Sequence, residues 1–101
     1  MSTLFDLRGK VALLTGASKG MGLAMATALA QHGATVVISA RKQEQLDLAV
    51  EEINTACGTK RAIAVAANVG HKEALEALVQ TARSSAGPID IVVGNAGVNP
   101  Y

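Results

Sequence analysis

Thr15-Gly16-Ala17-Ser18-Lys19-Gly20-Met21-Gly22 is the stretch that most constrains the fold. Before it stands Val11-Ala12-Leu13-Leu14, a short aliphatic run of strand type. After it, Met21, Ala24, Met25, Ala28 and Leu29 recur at the three- and four-residue spacing of one helix face. The order is strand, tight loop, helix, with those five residues expected to face the core. Such a geometry binds anions. Amides in the first turn of a helix have no intrahelical partner, and the helix dipole adds about half a positive charge there. Glycines accept positive φ and let a phosphate approach without a Cβ in the way. Taken alone, a glycine-rich turn also serves as a simple structural bend.

The spacing excludes two other nucleotide loops. A P-loop needs G-x-x-x-x-G-K-[ST], but Met21 stands five residues after Gly16 and no Lys-Ser pair follows. A G-x-G-x-x-G fingerprint would need glycine at the position of Met25. What remains, T-G-x-x-x-G-x-G between a strand and a helix, resembles the cofactor loop of the short-chain dehydrogenase/reductase family. The resemblance implies a Rossmann-type fold and a nicotinamide dinucleotide held by Gly16, Ser18, Lys19, Gly20, Met21 and Gly22. Ser18 in this setting holds the loop or a phosphate oxygen rather than acting as a nucleophile.

The rest of the chain repeats the pattern. Strands are expected at residues 10–15, 35–39, 62–66 and 89–93, and helices at residues 20–32, from about 44 to 57, and 71–86. Gly33, Gly58 and Gly87-Pro88 supply the helix stops. Leu46, Ala49, Val50, Ile53 and Cys57 form the inward face of the second helix; Leu75, Leu78, Val79 and Ala82 form that of the third. Residues 1–9 read as a lead-in whose Leu4, Phe5 and Leu7 pack at the sheet margin or fray. Strands alternating with helices give parallel pairing with right-handed crossovers. The fold class is therefore α/β: one partial dinucleotide-binding domain over residues 1–101, β-α-β-α-β-α-β, strand order 3-2-1-4, helices on both faces. Its ligand belongs at the carboxyl ends of strands one and four, where the order reverses.

The end of strand two selects the cofactor. An acidic residue there bonds the ribose 2′-hydroxyl of NAD, and a basic one accommodates the 2′-phosphate of NADP. Here the chain reads Ser39-Ala40-Arg41, without a carboxylate. Arg41 can make two charge-assisted bonds to a phosphate, and Lys19 reaches from the loop; as plain charges both would simply be solvated. The expected cofactor is NADP(H) rather than NAD(H). By resemblance, Asn68-Val69 takes the place of an Asp-Val whose carboxylate bonds the adenine amine, and Asn95, Ala96 and Gly97 line the adenosine-ribose side. Gly94 departs from the family's usual asparagine.

The same resemblance implies chemistry on a carbonyl/secondary alcohol pair by a Ser, a Tyr and a Lys four residues after the Tyr. None transfers to this chain. Its one tyrosine is Tyr101, and Ser84 and Ser85 fall on the third helix. No spacing of His, Cys or carboxylates suggests a metal, and His32 and His71 are a helix end and start. Glu51 and Glu52 fall on a solvated helix face. A net charge of +1 argues against nucleic acid, and no apolar run approaches the about twenty residues of a membrane span. The lone Cys57 fits a reducing compartment, so a cytoplasmic protein is expected. The resemblance covers the first half of the family's usual length, leaving strand four as an open apolar edge. Two readings stand: an NADP(H)-dependent oxidoreductase whose catalytic half lies outside this chain, and a non-catalytic nucleotide-binding or self-assembling half-Rossmann module. A homo-oligomer is expected in either case.

Overall fold

The computed structural model describes residues 6–68 and 70–94. In chain order the elements are β1 (Val11–Thr15), α1 (Gly20–Gln31), β2 (Thr35–Ala40), α2 (Gln43–Cys57), β3 (Ala62–Ala66), α3 (Lys72–Ala86) and β4 (Ile91–Gly94). The four strands form one parallel sheet in the order β3-β2-β1-β4. This is the doubly wound, Rossmann-type arrangement expected from the sequence. At the carboxyl edge Val65, Ser39, Thr15 and Gly94 stand in register across the four strands.

Each face of the sheet has its own core. Ala12, Leu14, Val36 and Ile38 meet Ala26 and Ala30 of α1 and Leu46, Ala49 and Ile53 of α2. Val11, Leu13 and Val37 meet Leu78 and Ala82 of α3 on the opposite face. The inward face expected of α2 holds, with Cys57 partly buried against the first core. On α3, Leu78 and Ala82 are buried and Val79 packs beside them, whereas Leu75 is exposed.

Of the five residues expected to face the core from α1, Met21, Ala24, Met25 and Ala28 are exposed and Leu29 packs partly buried against the first core. The buried residues of α1 are Gly22, Ala26 and Ala30, while Met21 is 75% exposed and Met25 38%. The four-residue row of Gly and Ala lets the helix backbone lie close on Ala12 and Val36, a gap that methionine side chains would prop open. Hydrophobic periodicity selected the longer side chains; steric fit selects the smallest ones.

Turns fix how the elements meet. Gly33 (φ +109°) ends α1, and a Cβ there would stand 2.8 Å from Arg8 Cγ and 2.9 Å from Arg8 N. Close approach and left-handed backbone both demand glycine at this point. The lead-in docks here: Leu7 N–H donates to the His32 carbonyl at 2.7 Å, and Leu7 packs on the first core. Beside it, Asp6 is lowered to about 2 by its hydrogen bonds with Arg8, which include Arg8 Nε to Asp6 Oδ1 at 2.9 Å. Leu4 and Phe5 lie outside the described residues.

Strand four begins two residues later than expected. Asp90 N–H donates to the Val11 carbonyl at 2.8 Å, and Val11 N–H donates to Asp90 Oδ2 at 2.9 Å. This side-chain clasp occupies the place of a ladder rung, so β4 starts at Ile91 and runs on to Gly94. As an edge strand it leaves Val92 68% exposed on the α3 face. Asp90→Ala should leave the Val11 amide without its acceptor and lower unfolding free energy by about 1–2 kcal/mol. Asp90→Asn keeps an acceptor and should retain most of that stability; urea unfolding midpoints of the two variants test the clasp.

Candidate functional site at the carboxyl edge of the sheet

The loop between β1 and α1 divides its amides between two tasks. Gly16 and Ala17 both donate N–H to the Ser39 carbonyl, at 2.7 and 3.2 Å, tying the first half of the loop to β2. Gly16 takes φ +66° and Gly20 φ +63°, the left-handed region where a side chain is strained. A Cβ at Gly20 would meet nothing within 4 Å, so its glycine answers to backbone conformation, not to crowding. Between them Ser18 Oγ donates to Gln45 Oε1 of α2 at 3.5 Å, a long contact.

The second half of the loop opens α1 without a cap. Lys19 occupies the N-cap in extended conformation (φ −160°, ψ 172°) and makes no side-chain capping bond. α2 and α3 also lack side-chain caps, but each carries a carboxylate in its first turn, Glu44 and Glu73. α1 has none. A favourable first-turn carboxylate contributes about 0.3–1 kcal/mol, so α1 forgoes it and sets a lysine at its positive end. An anion placed there would meet the amides of Gly20, Met21 and Gly22, a dipole and a cation together.

The ends of β2 and β3 extend the site sideways. Arg41 is exposed immediately beyond β2, and Lys42 follows as the N-cap of α2. Ala67 N–H donates to the Ala40 carbonyl at 2.9 Å, carrying the β2–β3 ladder one residue beyond the paired Ala40 and Ala66, with Asn68 next in the chain at the same edge. Asn68 is exposed; its Oδ1 accepts from Gly70 N–H at 3.1 Å and its carbonyl from His71 N–H at 3.3 Å. The fold thus brings residues 16–22, Arg41 and Asn68 to one edge. Val69, Asn95, Ala96 and Gly97 lie outside the described residues. Gly94 ends β4, where an added Cβ would lie 4.0 Å from Thr15 Oγ1, an ordinary contact.

Sequence reasoning missed Ser39. It is 1% exposed, its carbonyl anchors the loop, and its Oγ has no hydrogen-bond partner among the described residues. Nothing in the apolar run 35–40 marks that carbonyl as a double acceptor. Among the described residues no three His, Cys, Asp or Glu side chains gather as a metal site, and no helix is long and apolar enough to cross a membrane.

The family model described as short chain dehydrogenase matches residues 10–101. Over 98 residues the chain is 39% identical to 5-keto-D-gluconate 5-reductase of Escherichia coli (strain K12), covering 97% of this chain and 38% of that protein. The crystal structure of L-sorbose reductase from Gluconobacter frateurii, complexed with NADPH and L-sorbose, superposes with a TM-score of 0.87 at 40% identity, covering 95% of this chain and 36% of that one. A variant of actinorhodin polyketide ketoreductase with NADPH superposes with a TM-score of 0.81 at 38% identity, over 87% of this chain and 33% of that one. The chain spans about a third of the length of these proteins.

The buried Ser39 hydroxyl gives a stability test. Ser39→Ala removes an unsatisfied polar group while leaving the carbonyl that holds the loop, so the unfolding midpoint should stay level or rise. A loss above about 1 kcal/mol would mean that the hydroxyl has a bonding partner of its own.

Proposed function

The chain belongs to the short-chain dehydrogenase family, and on that premise we propose that it is the cofactor-binding part of an NADP(H)-dependent oxidoreductase acting on a carbonyl/secondary alcohol pair. One observation carries the reading. The amide-rich start of α1 has a cation and no carboxylate, and a second cation stands at the end of β2 where NAD-type sites place an acid. The loop fits a pyrophosphate: Gly16 and Gly20 hold the backbone turn, and Gly20, Met21 and Gly22 offer their amides. Lys19 and Arg41 would hold the 2′-phosphate, Arg41 as a two-pronged donor and Lys19 as a point charge. Ser18 positions the loop against α2 through Gln45. Asn68 and Val69 serve the adenine side, and Asn95, Ala96 and Gly97 the ribose side. The cofactor supplies or accepts the hydride; this chain's residues bind and orient it.

The proposed substrate class draws support from the names of the similar proteins, two of which reduce keto-sugars or ketoses and bear 39% and 40% identity to this chain. The Ser, Tyr and Lys implied by the resemblance belong to the part of such proteins that this chain does not span. The open edge at β4, with Val92 exposed, suits continuation of the sheet by a further strand, and the assembled enzyme is proposed as a homo-oligomer. A half-buried Cys57 with no disulfide fits a reducing, cytoplasmic setting.

Arg41→Asp replaces a phosphate donor with a carboxylate. NADPH affinity should fall about 10- to 100-fold, the equivalent of one charge-assisted interaction, while NADH affinity holds or rises. Calorimetric titration with both reduced cofactors measures the ratio. An unchanged ratio removes the NADP assignment, and absence of heat with either cofactor removes the dinucleotide site.

A further inference from the structure

We propose that Met21 is a peroxide-sensitive oxidation site at the mouth of α1. Its thioether is open to a hydroperoxide while the dinucleotide is absent, and its sulfoxide then weakens dinucleotide binding. The proposal rests on the dinucleotide reading above and adds to it a redox control of occupancy.

Two observations single out this methionine. The first is access. Met21 is 75% exposed, the most exposed large apolar side chain among the described residues, whereas Met25, one turn further along α1, is 38% exposed. A hydroperoxide must reach the sulfur lone pairs, so exposure ranks the two thioethers. The second is place. Helical side chains lean back toward the helix N-terminus, so that of Met21 covers the turn holding Lys19 and Gly20. Gly20 has no side chain to keep it away, and a Cβ built there would meet nothing within 4 Å. Met25 sits in the second turn, past the amides that lack helical partners.

The chemistry at sulfur is an oxygen transfer. A sulfur lone pair attacks the terminal peroxide oxygen, the S–O bond forms and the O–O bond breaks. The peroxide's own proton moves to the leaving oxygen, which departs as an alcohol or as water. Sulfur is oxidised by two electrons and the peroxide is reduced by two. The product exchanges a flexible apolar group for one bearing a strong acceptor oxygen. At the start of α1 that oxygen finds donors. Gly20, Met21 and Gly22 carry amides without helical partners, Lys19 gives no side-chain cap, and the first turn holds no acid. The sulfoxide oxygen and a phosphate both need these amides and repel each other at them, so exclusion is mutual. A bound dinucleotide covers the thioether, and an oxidised Met21 opposes the dinucleotide.

Hydrogen peroxide and NADP+ test this on the whole chain. Peptide mass spectrometry follows oxygen uptake at each methionine and at Cys57, and calorimetric titration follows NADP+ affinity. Met21 should gain oxygen faster than Met25. With NADP+ at about ten times its Kd, about a tenth of the sites stand open, so the rate at Met21 should fall about tenfold. Chain oxidised at Met21 should bind NADP+ about tenfold more weakly, the equivalent of one lost amide–phosphate bond. The Met21→Leu protein, whatever its starting affinity, should keep it through the same treatment. Slower oxidation at Met21 than at Met25, an equal rate at Met21 with and without NADP+, or an equal loss of affinity in Met21→Leu overturns the proposal while the dinucleotide site stands. If the untreated chain does not bind NADP+, the proposal falls together with the dinucleotide reading.

Discussion

The Ser39 carbonyl accepts two hydrogen bonds, from Gly16 and Ala17, and the geometry of the whole carboxyl edge depends on this pair. Backbone amides must be satisfied somewhere, and the four-residue loop 16–19 together with the first turn of α1 has several that no helical or sheet partner takes. Fastening the first two to β2 does two things. It closes the bend above the sheet, and it leaves the later amides, at the start of α1, facing outward. The loop can be stiff before any ligand arrives, so the ordering is built into folding and not charged against binding. The left-handed backbone at Gly16 and Gly20 brackets the segment that turns from one task to the other.

That arrangement holds only if α1 lies close on the sheet. Gly22, Ala26 and Ala30 make this possible because they present almost no side chain between the helix axis and Ala12, Leu14, Val36 and Ile38. The two other helices solve a different problem. α2 and α3 reach down with Leu46, Ile53 and Leu78 into cores whose volume must be filled. Buried branched side chains each contribute about 1.5–3 kcal/mol, whereas the alanines of α1 contribute less and position more. Stability and site geometry are thus carried by different helices.

Much of this was legible in the sequence, and the exceptions have physical causes. Alternating strand and helix patterns gave the parallel sheet and its order, because apolar periodicity and glycine stops report directly on buried faces and chain reversals. The α1 face was misread because Met21 and Met25 count as apolar in any periodicity argument, while the real selection was for small size. The start of β4 was misplaced because Asp90 substitutes its carboxylate for a ladder partner of Val11, a tertiary bond between residues far apart in the chain. Lys19, Arg41 and Asn68, named from the sequence, stand at the carboxyl edge of the sheet. Ser39 was not named, since its role lies in a carbonyl that every residue possesses. Nor could the sequence show that Gly70 claims Oδ1 of Asn68, which sets the direction of its amide.

The charge pattern at the helix starts shows how the site is distinguished from its surroundings. Each of the three helices follows a strand of one parallel sheet, so all three start at its carboxyl edge, and none has a side-chain cap. Glu44 and Glu73 occupy the first turns of α2 and α3, where a carboxylate both stabilises the helix and repels a competing anion. A lysine stands at the N-cap of both α1 and α2, Lys19 and Lys42, and what α1 alone lacks is a first-turn acid. At this edge α1 is the terminus without an acid, and Arg41 and Lys42 stand at the β2 side, Lys42 as the N-cap of α2. Backbone geometry alone could not make that distinction, because the amides are alike at every helix start. The first-turn carboxylates make the difference, at a modest cost in the stability of α1, which has none.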